Sequence, residues 1–396
     1  MEKSKKSTNL ILLTVWIIVF CIVNYICLST LHAITSGDFE YFSRQSRLQN
    51  NHKNRWMNQG KGTRYSTSID DIHGVYVNAS KLTSNQLVNQ FLNSISGTNI
   101  NAIVLDIKTE RGTINFRIQN KTANQIGAVT NTIPNIENLI ALLHEKNYYV
   151  IGRIVTFMDP MLAKSDKSLA VVTRNGEIFK DKAGYYWVNP YQKGAWNYNI
   201  GIAKECATLG FDEIQFDYVR FSTEADRLCD YKGAKGILKK DIITQFIKCA
   251  SDNLHKQQVN VSADVFGAII GSEIDSSIVG QDYKEMSKYL DYICPMIYPS
   301  HYGNGYYGLA VPDLQPYELI MNALEDSNQL LARDNNTQTM AKVRPWLQDF
   351  TAKWKKQHQV YGTRQVRDQI NAVYDSGHQE WLLWNSSSRY TTRALK

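Results

Sequence analysis

FDEIQFDYVRF (residues 211–221) and VNVSADVFG (residues 259–267) decide the fold. Each is a short apolar run that ends in a lone aspartate, Asp217 in the first and Asp264 in the second. Successive side chains of a strand point to opposite faces. Gln215 and Asp217 therefore share one face, and Ile214 and Phe216 the other. Asn260, Ser262 and Asp264 share one face, and Val261 and Val265 the other. Polar residues inside and apolar residues toward helices, with one carboxylate at the C-terminal tip, is how a (β/α)8 barrel presents catalytic groups.

Working outward, the same kind of run recurs to make eight. The other six are IHGVYVNA (72–79), INAIVLDIK (100–108), YYVIGRIVTF (148–157), DYICPMIYPS (291–300), KVRPWLQDF (342–350) and EWLLWNSSS (380–388). Helical periodicity fills the gaps. Thr83 or Ser84 caps LTSNQLVNQFLNSI, and Pro134 suits the first turn of IPNIENLIALLHEK. Gly210 and Gly377 stop two later helices. Alternating strands and helices predict an α/β fold with a parallel sheet, a (β/α)8 TIM barrel over residues 71–396. Only YTTRALK follows the last strand, too short for an eighth helix; part of 38–68 is the candidate cover for that face. Two long loops, 158–193 and 222–240, follow strands three and four, on the face where such barrels keep their sites.

The formal charge is +7, and it is uneven. Residues 1–70 hold nine Lys/Arg and four Asp/Glu, so the barrel is close to neutral. A nucleic-acid binder concentrates its basic residues on the folded domain, and no nucleic-acid partner is expected. The basic residues instead flank an apolar segment at 10–34, preceded by a tail at 1–9 with Lys3, Lys5 and Lys6. About 20 apolar residues span a bilayer, and the positive flank stays cytoplasmic. A single N-terminal transmembrane signal anchor is expected, with a polar stalk at 35–70 and the barrel outside the cell. The alternative is a cleaved signal peptide, for which the segment is long and STLHAIT a weak cleavage site. Of six cysteines, Cys21 and Cys27 lie in the apolar segment. No CxxC spacing points to zinc. One disulfide among Cys206, Cys229 and Cys249 is compatible with export, with its pairing open.

Paired carboxylates on neighbouring strands point to glycoside hydrolysis. Asp217 is the candidate nucleophile and Asp264 the candidate general acid/base. Arg153 on strand three is placed to pair with Asp217. Asp106, on the same predicted face as Lys108, and Asp349 are candidates for holding hydroxyls or stabilising an oxocarbenium-like transition state. Tyr218, Tyr298, Trp346 and Trp384 crowd the strand ends, where aromatic faces suit sugar contact; His301 is placed for a hydrogen bond. No metal or cofactor is called for, since neither HxH nor HExxH spacing occurs.

GFDEIQFDYVRF, SADVFG, DYICPMIYPSHY and HGVYVNAS together resemble the family of glycoside-hydrolase-like domains of unknown function found in bacterial genomes. The resemblance spans roughly residues 72–390. It implies a TIM-barrel glycosidase-like fold, with Asp217 and Asp264 at the family's acidic motifs. The layout is also distantly similar to α-amylase-like barrels, with two departures. Asp264 stands where that group has Glu, and Gln215 where it has an arginine. The expectation is a membrane-anchored extracytoplasmic glycoside hydrolase acting on a poly- or oligosaccharide. A carbohydrate-binding barrel without catalysis is the alternative.

Overall fold

The computed structural model describes residues 71–332 and 340–396. The basic tail, transmembrane segment and stalk expected over 1–70 lie outside the described residues. Among the described residues, no helix is long and apolar enough to cross a membrane.

The strands are β1 (His73–Val77), β2 (Ala102–Lys108), β3 (Tyr149–Val155), β4 (Glu213–Asp217), β5 (Asn260–Phe266), β6 (Tyr292–Met296), β7 (Lys342–Val343), β8 (Trp346–Gln348) and β9 (Trp381–Trp384). Every pairing is parallel. β9 pairs with β1 and β5 with β6, so the sheet closes on itself. β7 and β8 are two halves of one stave, interrupted at Arg344–Pro345. Proline has no N–H to give the ladder. The stave holds its place because Arg344 N donates to Ile293 O at 3.0 Å and Leu382 N to Pro345 O at 2.9 Å. The eight expected runs are thus the eight staves of an α/β barrel.

Side-chain parity sorts the apolar residues into two separate cores. Tyr76, Val104, Ile151, Cys294, Trp346 and Leu382 pack inside the barrel. Val75, Ile103, Leu105, Ile154, Ile214, Phe216, Val261 and Val265 pack outward under the helices. Deeper in the barrel, Arg344 bridges Glu213 at 2.5 Å, both fully buried, with Ser262 Oγ also donating to Glu213 at 2.5 Å. Such a charged plug away from the catalytic face reads as architecture.

Ser84 is the cap of helix Asn85–Ile95, accepting from Leu87 N. Pro134 does not sit in a first turn. The side chain of Asn135 accepts from Asn138 N, so the helix begins at Ile136. Gly210 (φ 105) and Gly377 (φ 86) lie just past the helices Lys193–Thr208 and Thr363–Asp375, in the left-handed conformation that favours glycine. The cover expected from 38–68 lies outside the described residues; among those, the C-terminal tail packs onto the barrel after β9. Ala394 and Leu395 are fully buried, and Leu395 O accepts from Asn99 N at 2.9 Å. Cys206, Cys229, Cys249 and Cys294 are free thiols, so no disulfide forms among the first three. The two long loops fold against each other through the bridge of Thr173 to Cys229, and within the first of them Met158 is bridged to Trp187.

Candidate active site

Arg153 organises the mouth of the barrel. Its Nε and Nη2 donate to Asp217 Oδ2 at 2.9 and 2.5 Å, and its Nη1 donates to Asp106 Oδ1 at 2.5 Å. Tyr76 donates its hydroxyl to the other Asp106 oxygen at 2.7 Å. Trp384 covers the cluster, its ring 5.5 Å from the Arg153 guanidinium carbon and 4.4 Å from the Tyr76 ring. All three charged groups are buried. Burial opposes the Arg153 charge, but Asp217 and then Asp106 outweigh it and hold its pKa well above the usual range. Burial raises the Asp106 pKa, against the pull of Arg153 and Tyr76.

β4 and β5 run in register from Glu213 with Asn260 to Phe216 with Ala263, so the next pair along is Asp217 and Asp264. Both side chains enter the barrel from adjacent staves. Asp264 is 1% exposed, and its Oδ1 accepts from the Trp346 indole at 2.7 Å. Burial, then the charge of Asp217, pushes the Asp264 pKa well above the ordinary carboxyl range, and Arg153 and the indole pull it back less strongly. Environments that treat two neighbouring carboxyl groups differently are how one site obtains an acid and a carboxylate together.

The Trp346 bond yields a signed prediction. An indole N–H donated to a carboxyl oxygen favours its charged form. Trp346→Phe removes that donor, so the Asp264 pKa should rise further. Titration of the Asp264 carboxyl followed by NMR is expected to show its midpoint moved to higher pH; a midpoint at the parent position, or lower, refutes the coupling.

The residue after Asp217 is Tyr218, at φ 49, a conformation uncommon for a bulky side chain. Its N–H turns back to Asp217 Oδ1 at 2.5 Å. Backbone held in such a region is typical of functional sites. Tyr218 also forms part of the wall of a cavity of about 240 Å³ between the two long loops, with Glu110, Tyr185, Trp187, Arg220 and Glu224 among its neighbours. Neither Asp217 nor Asp264 lines it; the cavity lies beside the acid pair rather than over it. Arg220 is stacked among the rings of Phe266, Trp187 and Tyr218 at 4.5, 4.9 and 5.0 Å, and donates from Nη1 to Phe221 O at 2.8 Å.

Several expected positions are corrected. Lys108 does not share a face with Asp106. The register with β3 shifts between them, so Asp106 lies opposite Arg153 while Lys108 lies opposite the outward-facing Ile154. A bulge of this kind re-aims a side chain, and Lys108 pairs with Asp159 at 2.5 Å, fully buried. Trp346 is 1% exposed, so its faces are enclosed and it contacts Asp264 instead of offering a stacking surface. Asp349 is buried, and its two oxygens accept from the Thr391 N–H and hydroxyl, both at 2.7 Å. That ties it to the C-terminal segment. Tyr298 is buried near the pair: burial, then the charges of Asp264 and Asp217, raise its pKa. His301 is exposed at the rim, edge-on to Tyr298 at 5.1 Å.

Residues 74–390 match a family described as "putative glycosyl hydrolase domain". The chain belongs to that family. No curated protein matches it. Among solved structures, a hypothetical protein from Ruminiclostridium thermocellum is 34% identical over 48% of this chain and 97% of its own, with a TM-score of 0.44. The glycoside hydrolase domain of PgaB (BpsB) from Bordetella bronchiseptica is 13% identical, covering 80% of this chain and 94% of that one at a TM-score of 0.59. A beta-galactosidase from the psychrophilic Marinomonas ef1 is 10% identical, covering 79% and 54% at 0.55. At these identities the last two show a shared fold.

In this member of the family, Trp187, Arg220 and Trp354 also stand at the mouth or its rim, and none was singled out from sequence as a site residue; Glu110, in the loop after β2, is placed by the sequence to reach inward and lines the cavity. Each lies in a loop or just past a strand end. The length of the loops after β3 and β4 was the available signal for Trp187 and Arg220.

Proposed function

We propose that this protein is a glycoside hydrolase that cleaves a poly- or oligosaccharide with Asp217 as nucleophile and Asp264 as general acid/base. The supporting observation is the in-register placement of the two residues on β4 and β5 with unlike surroundings: an ion pair for one, an elevated pKa for the other. Asp264 in its acid form donates its proton to the glycosidic oxygen as that bond breaks. The Asp217 carboxylate attacks the anomeric carbon, giving a glycosyl ester. Asp264, now ionised, takes a proton from water, which displaces Asp217 and regenerates both groups. Adjacent strands stand about 4.8 Å apart. Such spacing suits the carboxyl separation of about 5–5.5 Å needed for retention of anomeric configuration. Arg153 would hold Asp217 in place, and Asp106 and Trp384 would meet substrate at the adjoining wall.

The reading extends to an anchored, extracytoplasmic enzyme. It rests on the lysine-flanked apolar segment at 10–34 and on the polar stretch before the barrel. A second reading is a carbohydrate-binding barrel without turnover. Asp264 is 1% exposed and both Asp217 oxygens are already hydrogen-bonded, which a binding protein would tolerate and a working nucleophile must relax.

The test is release of reducing ends from a broad glycan panel, by the parent and by Asp264→Asn. Loss of a general acid costs about 10²- to 10⁴-fold, and the variant should also lose the alkaline limb of the pH profile. Unchanged activity or an unchanged limb removes Asp264 from this role. Binding without release across the panel favours the second reading.

A further inference from the structure

On the rim past the seventh stave, Trp354 is 67% exposed. A single exposed apolar side chain is ordinary on a protein surface; this one is set apart by how firmly its loop holds it and by the aromatic rings that join it to the mouth. Its loop is fastened at several points. Lys355 Nζ donates to Tyr302 O at 3.0 Å, Asn304 Nδ2 donates to Gln357 Oε1 at 3.0 Å, and Gln359 donates through its side chain to Asp313 O at 2.6 Å and through its backbone to Asp313 Oδ2 at 3.1 Å. One face of Trp354 stacks on Phe350, with ring centres 5.9 Å apart and 22° between planes. The ring is thus held in place with its other face turned to solvent.

The platform is continuous with the acid pair. Phe350 meets Tyr298 at 5.8 Å, and His301 lies between Tyr298 and Trp354 at 5.1 and 6.4 Å. Tyr298 in turn feels the charges of Asp264 and Asp217. An aromatic path therefore leads from the acids to a flat indole outside the mouth. The cavity beside Tyr218 is walled by the loops after β3 and β4, and Trp354 belongs to the loop after β8.

We infer that Trp354 is a remote sugar-stacking subsite, and that the protein takes a saccharide chain long enough to reach from the acid pair to that indole. This rests on the hydrolase reading for the position of the cleaved bond, but the stacking itself does not need catalysis. The flat apolar face of a pyranose ring packs on the indole while its hydroxyls stay hydrated, so the site selects chain length rather than a charged group. A monosaccharide or disaccharide seated at Asp217 leaves it empty.

The experiment measures binding by calorimetry with chitohexaose, cellohexaose, maltohexaose and the matching disaccharides. The proteins are the full chain carrying Asp217→Asn and the same chain carrying Trp354→Ala in addition. The expected result is a loss of about tenfold or more on a hexasaccharide with a much smaller loss on its disaccharide, since the indole takes the C–H face of one sugar ring out of water and only the longer chain reaches it. Trp354→Phe should restore most of it. Equal hexasaccharide affinity with and without the indole overturns the subsite, and so does the absence of binding by every sugar. If the wild-type chain releases no product yet hexasaccharide binding still depends on Trp354, the hydrolase reading fails and the subsite stands.

Discussion

Replacing Asp217 with asparagine should lower kcat by about 10³-fold or more, the scale on which removing a catalytic nucleophile acts. Asparagine keeps the shape but offers no lone-pair charge to attack the anomeric carbon, and it leaves the Arg153 guanidinium facing an amide. Binding of the same glycan should change far less, because the remaining contacts at the mouth do not depend on that charge. Turnover on any glycan the parent cleaves, with calorimetric binding alongside, separates the two effects. Retention of full hydrolysis by the variant would falsify the mechanism. Loss of binding and turnover in equal measure would instead make Asp217 a substrate-positioning group.

The second large effect concerns stability. Arg153 is the shared partner of Asp217 and Asp106, and all three are buried. Removing one member of a buried ion cluster leaves its partners uncompensated, at a cost of about 3–5 kcal/mol. Arg153→Leu keeps bulk and removes the charge, so urea unfolding at neutral pH should show a loss of that size. The pH dependence has a definite sign. Burial already raises the Asp106 pKa against the pull of Arg153, so without Arg153 it rises further above its unfolded value and the folded state binds that proton more readily. The deficit is then full above the raised Asp106 pKa and shrinks as the pH falls through it toward the unfolded value. A variant within 1 kcal/mol of the parent at neutral pH, or one whose deficit grows on acidification, would remove Arg153 from the role of central counterion. Activity should fall as well, because Asp217 loses the group that aims it.

The local signals of the sequence were sufficient for the barrel. Strand parity depends only on the chain's own period of two, so Ile214, Phe216, Val261 and Val265 face the helices as their positions imply, and Gln215, Asp217, Ser262 and Asp264 face inward. Parity failed where the period was broken. The register shift before Lys108 turned that side chain outward, and no residue type in LDIKTERG announces a bulge. The pairing of Arg153 with Asp217 was legible because both lie on the inward face of neighbouring strands, Arg153 level with Gln215 and within reach of the strand tip. Its second bond, to Asp106, completes a three-stave cluster.

Aromatic residues were legible as a crowd but not individually. Trp346 opens β8 and Trp384 ends β9, and one is enclosed against Asp264 while the other covers Arg153. Trp354, which is the exposed one, sits in a loop with no periodicity to place it.

By itself the sequence determined the number of staves, the inward face of each away from the bulge at Lys108, and the two inward carboxylates Asp217 and Asp264, because those follow from short-range periodicity and from where apolar runs stop. The tertiary structure alone decided that Asp106 joins Arg153 while Lys108 turns away to Asp159, which indole turns inward and which outward, and that the stave over 342–350 breaks at Pro345 into β7 and β8. Those outcomes depend on the stagger of neighbouring strands and on how distant loops fold over the mouth, which bring together residues that no local pattern relates.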